Sequence, residues 1–409
     1  MNAPIAHRRP ETVRELEALQ QQERAGAGDA PLTVDGVIRL LQEDIHRELI
    51  AARLDSGGLS AVVDGAADDD ERAKDRAASL VQAWRLDDET QWSRYESPGI
   101  RWGIADVCAR IEPVFANRGW HLAEPPIVGT LATGQVSAAT QKSSHGAPLV
   151  LIDNGFFKFA GAISQLAVFA SHDARSSGSF SNASLQLMAD LAATQTVLNT
   201  CLYLFKRATP PQVASQVTQI VQAVVTFVIA HEYAHVAAGD LDAHPLSGAI
   251  EAAARRAKEF EADQRAFITS VESAQEPEMG VFGPFVYFAG LDAMDRAAAA
   301  YAGRAASPES GSDAAYPTPF ERTVALLKWI ETTPYVSQLR SAIAAASRCY
   351  HIVLFTWDQI LPSFWAAREE MSAFDPAKRG SVSSLPDADA LGVVAVLWQH
   401  VQASGRRTQ

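Results

Sequence analysis

From Ile220 to Ala230 the chain is apolar except for Gln222 and Thr226, and the run ends in His231-Glu232-Tyr233-Ala234-His235. Nothing else in the sequence constrains the fold as much. The pattern predicts a helix from about Gln212 to Ala238, closed by Gly239. The uninterrupted apolar part is far shorter than the roughly 20 residues needed to span a bilayer, so it reads as a core helix. Residues four apart share one face of a helix, so the imidazoles of His231 and His235 can reach one metal ion. Glu232 lies about 100° round the axis, beside such an ion rather than on it. From there a carboxylate can take a proton from a metal-bound water. The same spacing also arises by chance on ordinary buried helices, so it needs partners.

The partners lie downstream. A hydrolytic zinc has three protein ligands and one open position, and two histidines hold it poorly alone. Lys258-Glu259-Phe260-Glu261-Ala262-Asp263 places Glu259 and Asp263 on one face of a predicted helix over Gly248–Thr269. Glu259 reads as the third ligand. Asp263, one turn on, can accept a hydrogen bond from the ring N–H of a ligating histidine, which fixes its tautomer. Glu261 points away and reads as a surface residue.

Composition limits the alternatives. The 409 residues are 47% hydrophobic and 20% charged, which suits a globular chain with a large core. A net charge of −13 argues against nucleic acid and against an anionic membrane as partners. Cys108, Cys201 and Cys349 are sparse and odd in number, so no disulfide framework is expected and a cytoplasmic location fits. The segment after His7, Arg8 and Arg9 lacks the apolar region of a secretory signal.

The predicted fold class is mainly α (α+β). Helices are expected at Val13–Arg24, Thr33–Leu54, from Asp68, Trp102–Glu112, Ser184–Lys206, Pro284–Ala302, Pro319–Glu331, Val336–Leu361 and Ala388–Gln402. Short β-prone runs at Ile127–Leu131 and Leu149–Ile152 predict a small antiparallel sheet next to the motif helix. The second run, followed by Asp153-Asn154-Gly155, reads either as an edge strand for an extended peptide or as an internal strand and turn. Ser171–Asn182 reads as a loop. The organisation expected is an N-terminal helical region over 1–97, a core over 98–335 and a C-terminal helical region over 336–409.

HEYAH followed by Glu-Phe-Glu-Ala-Asp resembles the gluzincin pattern of thermolysin, HExxH then ExxxD. More narrowly, EFEAD is similar to the ExxAD element of the HtpX and CAAX prenyl protease group. That group also carries a His-Pro segment with an Arg six residues after the His. Tyr316-Pro317-Thr318-Pro319-Phe320-Glu321-Arg322 has the same shape, with Tyr316 at the place of the family His and Arg322 at the Arg. The likeness covers about Pro148–Leu327 and lacks the membrane helices of the membrane-bound relatives.

The resemblance implies a gluzincin-like core and a zinc metalloendopeptidase. One Zn²⁺ per chain would be held by His231, His235 and Glu259, with Glu232 as general base. Tyr316 would donate to the oxyanion and Arg322 would orient a carboxylate. The expected partner is a protein or peptide substrate, with no nucleic acid and no membrane span. The alternative is a protein-binding or scaffold module whose zinc site does not turn over.

Overall fold

The computed structural model describes residues 10–25, 98–131, 133–176, 179–199, 201, 211–242, 249–304, 316–375 and 386–405. The helices expected at Thr33–Leu54 and from Asp68 lie outside the described residues, as does His244.

In chain order the elements are α1 (Pro10–Ala25), α2 (Pro98–Asn117), β1 (Ile127–Leu131), β2 (Ala138–Lys142), β3 (Pro148–Asp153), α3 (Asn154–Ser176) and α4 (Asn182–Leu198). They continue with α5 (Pro211–Ala238), α6 (Ala249–Ser273), α7 (Pro277–Gly280), α8 (Phe282–Tyr301), α9 (Pro319–Ile330), α10 (Tyr335–Met371) and α11 (Pro386–Gly405). Among the described residues helix predominates, so the fold is mainly α with one small sheet.

The chain divides into two compact units. The first holds the residues up to Glu112, Leu122–Ala132 and Ala139–Ile152; the second holds Pro113–His121, Thr133–Ala138 and everything from Asp153 onward. The regions drawn at 97/98 and 335/336 in the sequence are not the boundaries of these units.

In the first unit α1 packs on β1. Val13 and Leu16 bury against Ile127 and Leu149, so α1 is a core element of its unit despite its polar composition. Gln20 and Thr130 add a buried hydrogen bond, Gln20 Nε2 donating at 2.7 Å.

The sheet corrects one expectation and decides another between its two readings. Its order is β1-β3-β2 and it is mixed rather than antiparallel. β2 and β3 form a hairpin: Ser143 N–H donates to Ala147 at 2.9 Å and Asp153 N–H to Ser137 at 3.0 Å, the constant residue sum of an antiparallel pair. Gly146 supplies the positive φ of its turn. β1 pairs on the far side of β3, parallel to it. β3 is therefore the central strand, with both edges used, and offers no edge to an extended peptide.

The second unit is a helical bundle in which α5 packs against α6, α8 and α3, and α8 against α10. Two helices differ from expectation. α2 continues through Pro113 to Asn117, because Val114 and Phe115 beyond the proline are buried and repay the lost hydrogen bond. α3 was not read from the sequence at all. Asn154-Gly155 looks like a turn, but Gly155 starts a helix where its backbone lies against the carbonyls of Gly134 and Gln135, a space no Cβ could share. The helix then runs into Ser176, through part of the stretch expected as loop.

α5 is long and apolar enough by composition to cross a bilayer over Val213–Ala238, with a mean hydropathy of 1.7. The whole helix thus passes a length test that its uninterrupted part fails. Its apolarity has another use, since Val224, Phe227, Ile229 and Tyr233 are all buried among neighbouring helices.

Candidate metal centre

Helices α5 and α6 pack side by side and bring the two halves of the motif together. The His231 and His235 Nε2 atoms are 3.1 Å apart. Glu259 offers oxygens 3.3 Å from His231 Nε2 and 3.6 Å from His235 Nε2. These three residues form the one group of metal-capable donors found among the described residues. Around a tetrahedral ion with bonds of about 2.0–2.1 Å, donor atoms stand about 3.3 Å from one another. The Nε2–Nε2 distance and the two nearest Nε2–carboxylate distances, the latter to Glu259 Oε2 and Oε1 in turn, are close to that size.

The donors also have the right chemistry. His231 Nδ1 lies 3.0 Å from an Asp263 oxygen and His235 Nδ1 lies 2.8 Å from Asp240 Oδ2. A carboxylate accepts, so in the neutral, metal-binding form each Nδ1 carries the proton and each Nε2 keeps its lone pair for an ion. Four carboxylates, Glu232, Asp240, Glu259 and Asp263, meet two cations, Lys258 and Arg322, in this neighbourhood. The two negative charges left over match a divalent cation. The donor set therefore fits a metal ion held by two imidazoles and a carboxylate.

Asp240 is a residue that sequence reasoning missed. α5 ends at Ala238, and Gly239 follows with φ +72°, the left-handed conformation that reverses the chain. The short 3₁₀ turn Asp240–Asp242 then carries Asp240 back to His235. Lys258 Nζ holds the other Asp240 oxygen at 2.7 Å. Burial opposes the charge on Asp240, but the His235 and Lys258 hydrogen bonds outweigh it and hold the carboxyl below its usual range.

Asp263 lies where the sequence placed it, and Arg322 joins it. The carboxylate, 1% exposed, accepts from Arg322 Nε at 2.8 Å and from Nη2 as well. Arg322 Nη1 is 3.7 Å from Glu259, and its guanidinium lies over Phe288 at 4.7 Å. The arginine is aimed by its helix start. Thr318 Oγ1 accepts from Glu321 N–H at 3.2 Å, and Glu321 Oε2 accepts from Thr318 N–H at 2.7 Å, a complete capping box with Pro319 at the first turn. Arg256 pins the same Glu321 at 2.7 Å, tying α9 to α6.

These charges act on one another. Burial and the Arg322 charge disfavour a proton on His231, but hydrogen bonds to Asp263 and Glu259 prevail and push its pKa up to about 9. Burial likewise opposes the charges on Glu259 and Asp263, yet the nearby His231 and Arg322 hold both carboxyls below their usual range. In the metal-free protein a proton occupies the position a cation would take.

Glu232 is buried beside His231 on the same helix. Tyr316 is not brought into the cluster. It is 55% exposed, its hydroxyl accepts from Arg255 Nη1 at 3.3 Å and its ring lies under that guanidinium. The three cysteines are buried, and burial pushes the Cys349 thiol up to about 11.

A comparison with protein-family models, one with curated proteins and one with solved structures each return no match.

Proposed function

We propose that this chain is a zinc-dependent endopeptidase that hydrolyses peptide bonds in a protein or peptide substrate. The observation that carries the reading is the triangle of His231 Nε2, His235 Nε2 and Glu259, backed by Asp263 and Asp240 on the two Nδ1 atoms. Two imidazoles and one carboxylate are a donor set suited to zinc in a hydrolytic site. Zinc bound there supplies Lewis acidity, lowering the pKa of a bound water towards about 7. Asp263 and Asp240 fix the tautomers and raise the basicity of the two rings.

Glu232 is the general base. Its carboxylate accepts a proton from the attacking water and delivers it to the leaving amide nitrogen, so that one water is consumed and one C–N bond is broken. The low exposure of the ligand side chains, 9% for His231 and 12% for Glu259, favours a second reading, a metal-holding module without turnover.

The test is hydrolysis of a mixed peptide library by wild type and Glu232→Gln, with zinc measured by elemental analysis. The expected result is zinc retained and cleavage abolished in the variant, whereas His235→Ala loses the metal. Unimpaired cleavage by Glu232→Gln would sink the mechanism. Zinc-loaded wild type that cleaves nothing supports the second reading.

A further inference from the structure

Tyr287 on α8 holds its ring in an aromatic socket beside the metal centre. Ring centroids lie 6.2 Å from Phe156, 6.3 Å from Phe159, 6.1 Å from Phe227 and 5.6 Å from Phe288. Two of these neighbours touch the site directly. Phe227 lies against His231 at 6.4 Å, one turn before it on α5, and Phe288 carries the Arg322 guanidinium on its face. The ring is thus fixed from several sides, and fixed against the same walls that fix His231 and Arg322.

Its hydroxyl is the exception among the phenols of this bundle. Tyr350 donates to Asp292 at 2.6 Å, Tyr335 to Glu272 at 2.5 Å and Tyr301 to Asp375 at 3.3 Å. The Tyr287 hydroxyl makes no hydrogen bond to any described residue. Yet the charges of Arg322, Glu232, Asp263 and Glu259 all act on it, after burial, which is the main cause that raises its pKa to about 12. It stays protonated, and so a donor, at any physiological pH. An unused donor held rigidly beside a charged site is placed to take a partner that arrives with the ligand.

We propose that Tyr287 is a catalytic residue: its hydroxyl donates a hydrogen bond to the substrate carbonyl oxygen as that oxygen gains negative charge. The proposal rests on the peptidase reading and assigns to α8 the oxyanion donor expected at Tyr316. The hydroxyl keeps its proton throughout, so no bond to it is made or broken. A preorganised donor of this kind stabilises the transition state more than the ground state.

The test is Tyr287→Phe in the full chain, assayed on the same peptide library and then on one cleaved peptide chosen from it. The expected result is a fall in kcat of about 100-fold with KM within about twofold, zinc content unchanged and Tm unchanged. An unpaired hydroxyl contributes nothing to folding, so its removal leaves stability intact or raises it.

A kcat within about threefold of wild type, alongside an inactive Glu232→Gln, would overturn the role of Tyr287 and leave the peptidase reading standing. A Tm lowered by more than about 5 °C would also overturn it, by showing that the hydroxyl serves the fold. Cleavage that survives Glu232→Gln, or zinc-loaded wild type that cleaves nothing, removes the peptidase reading and this proposal with it.

Discussion

Asp240 accepts a hydrogen bond from Nδ1 of His235 at 2.8 Å, across the left-handed turn that ends the motif helix. The contact leaves Nε2 unprotonated and holds the ring in place. Asp240→Ala frees the ring to rotate and to exchange tautomers. Metal affinity falls about 10- to 100-fold, as measured by competition with a fluorescent chelator. Affinity equal to wild type would show that His235 needs no such partner.

Arg322 neutralises Asp263 in a place where water cannot. Arg322→Met leaves a carboxylate 1% exposed with His231 alone to offset its charge, at a cost of about 3 kcal/mol in urea unfolding of the metal-free protein. Adding Asp263→Asn recovers part of that loss, because the uncompensated charge is then gone. A strictly additive double mutant would contradict the pairing.

Proton and metal compete for His231. Its pKa in the folded, metal-free protein is raised from 6.5 to about 9, so the stability it contributes is complete below about 6.5 and is lost as pH rises through about 9. Glu259 and Asp263 act in the opposite sense. Their carboxyls are held low, so their contribution is present above the ordinary carboxylate range and is lost as pH falls through the lowered values. Thermal melts of metal-free protein should show Tm declining between about pH 7 and 9, with the decline suppressed by zinc. A metal-free Tm that rises across that window would rule this out.

Gly283 sets how closely α8 approaches α5. A Cβ there would stand 2.5 Å from the Ala223 carbonyl oxygen, which is backbone and cannot swing aside. In an exposed helix Gly→Ala is stabilising by about 1 kcal/mol. Here the sign reverses: Gly283→Ala is expected to cost about 1–3 kcal/mol by overpacking, read as a lowered Tm. A Tm equal to or above wild type would mean that the helices separate freely.

Much of the site could be read from residue order alone because it depends on helical spacing. His231 and His235, and then Glu259 and Asp263, are pairs four apart, and α5 was bounded correctly by the apolar run and Gly239. What stayed hidden depends on contacts that spacing does not encode. Asp240 reaches His235 only because the chain reverses at Gly239. Tyr287 stands on a helix with no motif, in a socket built from α3, α5 and its own helix, while Tyr316 drew attention through its neighbours in sequence and turned outward to Arg255. β1 was found within its residues, but its parallel partner is chosen by tertiary packing. α3 hid behind an Asn-Gly pair whose glycine is needed for close backbone approach rather than for a turn.

Gly239 has no side chain to offer a metal, and yet it governs one. Its φ of +72° aims Asp240 at His235, and a β-branched or bulky residue there would resist that angle. The site can therefore be detuned without altering a ligand, a base or a neighbour of either. For anyone who wants a quiet version of this protein with its coordinating residues intact, the handle is a single hinge in the main chain.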